Sequence, residues 1–235
     1  MANNFFRFKQ FVINQENCAM KVGTDGCLLG AWLNLEASRR ILDIGCGSGL
    51  IAIMAAQRCL SATITGVEIE EGASQQAREN AEASPWSNRI EIINSDFLSY
   101  FPNEKFDTIV SNPPYFVNSL KCPDSVRSKA RHDDSLASDQ LLSHARELLT
   151  DDGHLSVVIP TDIYDKWCAE AKENDLYLSR TTYVHTRAEA TPKRVMVEFS
   201  KAKTECITTH FTLEESPGIF SAEATALLKD FYLKL

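Results

Sequence analysis

No two of the seven cysteines stand in C-x-x-C spacing, and their odd number argues against a complete disulfide framework. A reducing compartment, the cytoplasm, is the expectation. A long apolar run is also missing: Leu42 to Ala56 is interrupted by Asp43 and three glycines, short of the roughly 20 residues that span a bilayer. The N-terminus, "MANNFFRFKQ", has no basic segment followed by an apolar core, so neither a secretory signal nor a membrane partner is expected. The five histidines lack metal-ligand spacing, and no metal is called for. A basic excess is absent too. With a formal charge of −8, any nucleic-acid partner must be met by a local basic surface, and generic duplex coating is excluded. There is no internal repeat and no low-complexity segment.

What is present is ordinary globular material: 235 residues, 44% hydrophobic and 24% charged, enough for one domain with a sizeable core. From about Arg40, short apolar strands alternate with helical patterns: "RILDIG", a helix from Leu50, "ATITGVEI", a helix from Glu70, "RIEIINSD", "FDTIVSN", "SDQLLSHARELL" and "GHLSVVIP". That alternation predicts βαβ units and a doubly wound, Rossmann-like α/β core with a mostly parallel sheet. After a further helix come "RTTYVHTR", "RVMVEFSK" and "ECITTHFTL" without long helices between them. Antiparallel pairing is expected there, so that the sheet ends in a hairpin. The tail reads as a helix capped by Ser221. Residues 1–39 are too short for a domain of their own and read as an N-terminal flap or lid over a single domain spanning 40–235. Oligomeric state is left open, and a monomer is compatible with everything above.

"LDIGCGSGLIAI" puts Gly45, Gly47 and Gly49 where the first core strand turns into its helix. Glycines there tolerate positive φ and let backbone approach a ligand closely. The dinucleotide pattern G-x-G-x-x-G is not met, because the residue three beyond Gly47 is Leu50. A loop built for close approach rather than pyrophosphate capture suits S-adenosylmethionine, which carries no phosphate. Asp43 opens the motif. Glu68 ends the next strand, about twenty residues on, where a carboxylate can accept both ribose hydroxyls. Asp96 ends the third, placed to accept from an adenine amino group, with Phe97 able to lie against the ring.

After the fourth strand stands "SNPPYF". An exocyclic amino nitrogen is a poor nucleophile because its lone pair is delocalised into the ring. The Asn112 side-chain oxygen and the Pro113 carbonyl can together grip one NH2 group and aim its lone pair at a methyl group. Pro114 stiffens the turn. Tyr115 offers a flat face for stacking a base, and Phe116 extends that wall.

In this order, "DIGCGSG", "GVEIE", "NSDF" and "NPPY" resemble the class I S-adenosylmethionine-dependent methyltransferases that act on exocyclic or amide nitrogens. "MKVGTDGCLLGAW", "RSKARHD" and "TPKRVMVEF" extend the likeness to the bacterial enzymes that methylate adenine N6 beside the anticodon of a valine tRNA. That resemblance implies a tRNA substrate and a contribution of Lys21, Thr24, Asp25 and Gly26 to closure over the cofactor. Lys121, Arg127, Lys129, Arg131 and His132, against only Asp124, make an otherwise acidic chain locally basic beside the catalytic turn and are candidate substrate contacts. The motif alone leaves three alternatives: methylation of a glutamine side-chain amide in a protein, methylation of guanine N2 in ribosomal RNA, and a non-catalytic RNA-binding module retaining the fold.

Overall fold

In a computed structural model that describes residues 3–114 and 136–234, the chain enters as a short antiparallel hairpin, β1 (Phe5–Arg7) and β2 (Val12–Asn14). Helix α1 (Thr24–Trp32) follows. The alternating region then forms β3 (Arg40–Ile44), α2 (Leu50–Arg58), β4 (Thr63–Glu68), α3 (Glu71–Glu82), β5 (Ile90–Asn94) and β6 (Phe106–Ser111). Beyond residue 135 come α4 (Ser138–Leu148), β7 (Leu149–Pro160), α5 (Tyr164–Glu173), β8 (Tyr177–His185), β9 (Arg194–Ser200) and β10 (Ile207–Thr212). A small hairpin, β11 (Glu214–Ser216) with β12 (Ile219–Phe220), leads to α6 (Ala222–Leu228), whose N-cap Ser221 accepts from the Ala224 N–H at 3.0 Å as its sequence requires.

The eight-stranded sheet has the order β10-β8-β9-β7-β6-β3-β4-β5. From β7 to β5 every pairing is parallel, and β9 runs antiparallel to both β7 and β8. This is the doubly wound sheet with a terminal hairpin that the alternation predicts. The pairing of β10 differs from expectation: it joins β8 in parallel. The reason is geometric. Strand β9 is inserted between β7 and β8, and it ends at Ser200 opposite Tyr177, where β8 begins. The chain can therefore step past β8 in the six residues 201–206 and run alongside it in the same direction, without a long crossover.

Successive strand residues face opposite sides, and the core divides accordingly. Ile41, Val110, Val158 and Met196 pack in one cluster with α1, α2 and α6; Leu42, Ile109, Val157 and Val197 pack in the other with α4 and α5. The stretch 1–39 is thus of two kinds. Helix α1 is buried along most of its length against α2 and belongs to the first cluster, whereas the loop before it lies at the surface of the sheet edge described below.

Arg89 fixes the far end of α2. Its guanidinium donates to the carbonyls of Ala56 at 2.7 Å and Cys59 at 2.9 Å, groups the helix C-terminus leaves without partners, and to that of Ala62 at 2.6 Å in the turn before β4. Arg89→Met should lower unfolding stability by about 2 kcal/mol, since hydrogen bonds to a charged donor are the stronger ones. A urea titration with unchanged slope and a lower midpoint checks it.

Candidate active site

Because β6, β3, β4 and β5 are parallel, their C-terminal ends share one edge. Gly45, Gly47 and Gly49 leave β3 there with φ of +64°, +55° and +79°. A Cβ at Gly45 or Gly47 would meet no atom within 4 Å, so both border open space, whereas one at Gly49 would press on Ala77 at 3.4 Å. The first two glycines leave space beside the loop, and the third is required by its positive φ more than by its contact with α3. The loop is pinned to β4 by Gly45 N–H and Cys46 N–H, which donate to the Val67 carbonyl at 2.8 and 3.2 Å.

Two buried carboxylates underlie it. Glu68 accepts the Gly47 N–H at 2.9 Å through Oε2 and the Glu70 N–H at 2.9 Å through Oε1. Each oxygen keeps a second lone pair for a ligand hydroxyl. Asp43 accepts the Ala52 N–H at 3.0 Å through Oδ2, while its buried Oδ1 has no partner among the described residues. Burial pushes the Asp43 carboxyl up to about 8, opposed by the Ala52 hydrogen bond and reinforced by the negative charge of Glu68. An orphaned acid beneath an open glycine cradle, with a diol acceptor beside it, fits a ligand with a cationic end and a ribose, the parts S-adenosylmethionine carries.

Asp96 is exposed at the end of β5 and accepts the Leu98 N–H at 3.0 Å through Oδ1. Phe97 does not present its ring to this edge: it is 5% exposed, inside the second cluster and edge-on to His144 at 4.8 Å. An exposed apolar side chain stands instead at Ile69, 64% exposed immediately after Glu68. Its signal in the sequence was an isoleucine between two glutamates in "GVEIE", at a turn where burial cannot account for it.

Of the N-terminal candidates, Lys21 donates through Nζ to the Gln15 carbonyl, and Gln15 accepts the Val22 N–H at 2.7 Å. Asn17 reaches the head of α3, where a Cβ on Gly72 would lie 3.7 Å from its carbonyl oxygen. Cys18 feels the charges of both Lys21 and Glu68, although burial is the main cause raising its thiol pKa. Residues 15–22 therefore border the same edge. Thr24 is exposed at the start of α1. Asp25 accepts the Arg194 Nε–H at 2.8 Å. Gly26 is buried, and a Cβ there would lie 3.6 Å from Asn112 Nδ2. This joins the head of α1 to the turn after β6.

That turn begins with Ser111, buried, its hydroxyl donating to the Ile44 carbonyl at 3.0 Å. Asn112 is half-buried, Pro113 buried and Pro114 exposed. Tyr115, Phe116, Lys121, Arg127, Lys129, Arg131 and His132 lie outside the described residues.

Residues 18–168 match the methyltransferase small domain family. The chain belongs to this family. It is an S-adenosylmethionine-dependent methyltransferase, and the glycine loop, Asp43 and Glu68 are the parts of the site suited to that donor. Over its full length it is 49% identical to the tRNA1(Val) (adenine(37)-N6)-methyltransferase of Bacteroides thetaiotaomicron, with all of both chains covered. The protein of the same name from Yersinia pestis is 43% identical, covering 97% of this chain and 93% of that one. Among solved structures, a predicted O-methyltransferase from Agrobacterium tumefaciens superposes with a TM-score of 0.69 at 20% identity, covering 88% of this chain and 96% of that one. The glycopeptide N-methyltransferase MtfA, solved with S-adenosyl-L-methionine, gives 0.57 at 13% identity, covering 77% of this chain and 100% of that one. These two share the fold.

Glu68→Gln should weaken S-adenosylmethionine binding by about tenfold or more in calorimetry, since hydrogen bonds to a charged acceptor are among the stronger ones. Asp43 sets a pH dependence whose sign is fixed. Its carboxyl is protonated in the fold up to about 8 but ionised in the unfolded chain from about 4 upward. Unfolding releases a proton between those limits, so stability without the donor should fall as pH rises through the interval and level off above it. Asp43→Asn should remove that slope in urea titrations at pH 5, 6.5 and 8.

Proposed function

We propose that the protein transfers a methyl group from S-adenosylmethionine to the exocyclic N6 of an adenine in tRNA, the adenosine beside the anticodon of a valine tRNA. The observation that carries the reading is the placement of Asn112 at the end of β6, against Gly26 and on the same sheet edge as Glu68 and the glycine loop. The full-length relatives, named as tRNA1(Val) (adenine(37)-N6)-methyltransferases, supply the choice of base and RNA. The cytoplasm follows from the substrate. Among the described residues no helix is long and apolar enough to cross a membrane.

In this reading Asn112 Oδ1 and the Pro113 carbonyl accept the two amino hydrogens of the target adenine. That orients the nitrogen lone pair and favours the positive charge that grows on nitrogen. When bound, the donor supplies a methyl group already activated by its sulfonium. The amino proton then leaves to solvent, and no strong general base is required. Tyr115 stacks the everted base, and the basic residues Lys121 to His132 hold backbone phosphates. Residues 15–22 cover the donor.

Incubating the protein with labelled donor and bulk tRNA from a strain lacking the enzyme, then digesting to nucleosides, should yield N6-methyladenosine. Asn112→Ala should lower kcat by about 100-fold or more with donor affinity intact. Label in protein alone, or in N2-methylguanosine, would overturn the substrate assignment.

A further inference from the structure

Strand β8 is antiparallel to β9, which is antiparallel to β7, so β8 and its parallel neighbour β10 end on the same edge as the active site. On the face shared with α5, three aromatic rings stand in a row across these elements. Tyr164, at the start of α5, lies 5.8 Å from Tyr183 of β8, and Tyr183 lies 5.4 Å from His210 of β10 at an interplanar angle of 22°. His185 closes the end of the row. Its Nδ1–H donates to the Ala190 carbonyl at 2.7 Å, and a neutral ring with that proton must accept at Nε2, which lies 2.9 Å from His210 Nδ1. The His210 Nδ1–H donates to it, and the bond holds the His210 ring in place. Tyr164, Tyr183 and His185 are half-buried, while His210 is exposed on the edge strand.

Core packing accounts for Tyr164 and Tyr183, which rest against the second cluster, but neither packing nor solvation accounts for the exposed His210 ring held against them. A core ring would be covered, and a solvated histidine would not need a ring partner and a hydrogen-bonded tether. We propose that the Tyr164–Tyr183–His210 row is a stacking platform for a nucleobase of the RNA substrate flanking the methylated adenine. Stacking on fixed rings suits a chain whose formal charge is −8, because it holds a base without net positive charge. The exposed Lys193 precedes β9 on the same edge, placed for a phosphate of that nucleotide, while Arg187, just after β8, is 4.0 Å from Glu189. From Asn112 at the end of β6 the edge crosses four strand spacings to β10, ~19 Å at the usual separation. The platform therefore meets a neighbour of the target and not the target itself. The inference rests on the tRNA reading above.

The test compares wild type, His210→Ala, His210→Phe and His210→Gln in binding a valine-tRNA anticodon stem-loop, with donor affinity measured alongside. Loss of one stacked base in His210→Ala should weaken RNA binding about tenfold, with donor affinity unchanged. His210→Phe should restore RNA binding and His210→Gln should not. Unaltered RNA affinity in His210→Ala, or rescue by Gln and not Phe, overturns the platform while leaving the tRNA reading standing. Failure of the wild-type protein to bind or methylate the RNA overturns both.

Discussion

Parallel pairing of β6, β3, β4 and β5 is the constraint on which the site depends. It sends every loop that carries chemistry to one edge and leaves backbone N–H groups at the strand ends in need of partners. Glu68 answers two of them, Gly47 and Glu70, and in doing so becomes a buried, oriented carboxylate. The acceptor that would grip a ribose is therefore held by the same hydrogen bonds that hold the glycine loop. A change at Glu68 therefore loosens the glycine loop and the start of α3 together.

Asp43 shows the cost of that arrangement. A carboxylate two residues before the first loop glycine is fully enclosed, with one oxygen tied to the head of α2 and the other without a partner among the described residues. Apolar burial of such a group is unfavourable unless a charge or donor compensates it. The neighbouring Glu68 makes ionisation harder still. Elsewhere most buried strand residues divide between two large apolar clusters, with a small third one around Ile92. The energetically awkward residue stands where a cationic ligand end would relieve it, which is the usual relation between local strain and a site.

Most of the architecture was legible because the strands are short, apolar and separated by amphipathic helices, so periodicity distinguished them. The glycine loop, Glu68 and Asp96 were legible for a related reason: each stands at a strand end, a position the pattern marks. Three features were not. The direction of β10 depends on β9 being inserted beside β7, and strand order is absent from local sequence. Phe97 departs from its expected place because the three-residue turn after Asp96 swings the phenyl ring into the core beside His144, while Ile69, not singled out in the sequence, stays exposed. Asp25 meets Arg194 across 169 residues, a contact no local reading supplies.

That last pair brings the C-terminal segment "TPKRVMVEF" to the sheet edge that carries the glycine loop. Arg194 begins β9, next to the end of β7, and its bond to Asp25 ties the head of α1 to that edge. One residue further on, Gly26 lies against the Asn112 side chain with no room to spare beyond a methyl group's width. From below, Ser111 is bonded to the last residue of β3. Asn112 is consequently bounded by α1 on one side and by β3 through its neighbour, two supports that come from distant parts of the chain. Such confinement limits which end of the amide Asn112 presents at the sheet edge, because a freely turning side chain would offer its NH2 end as readily as its oxygen.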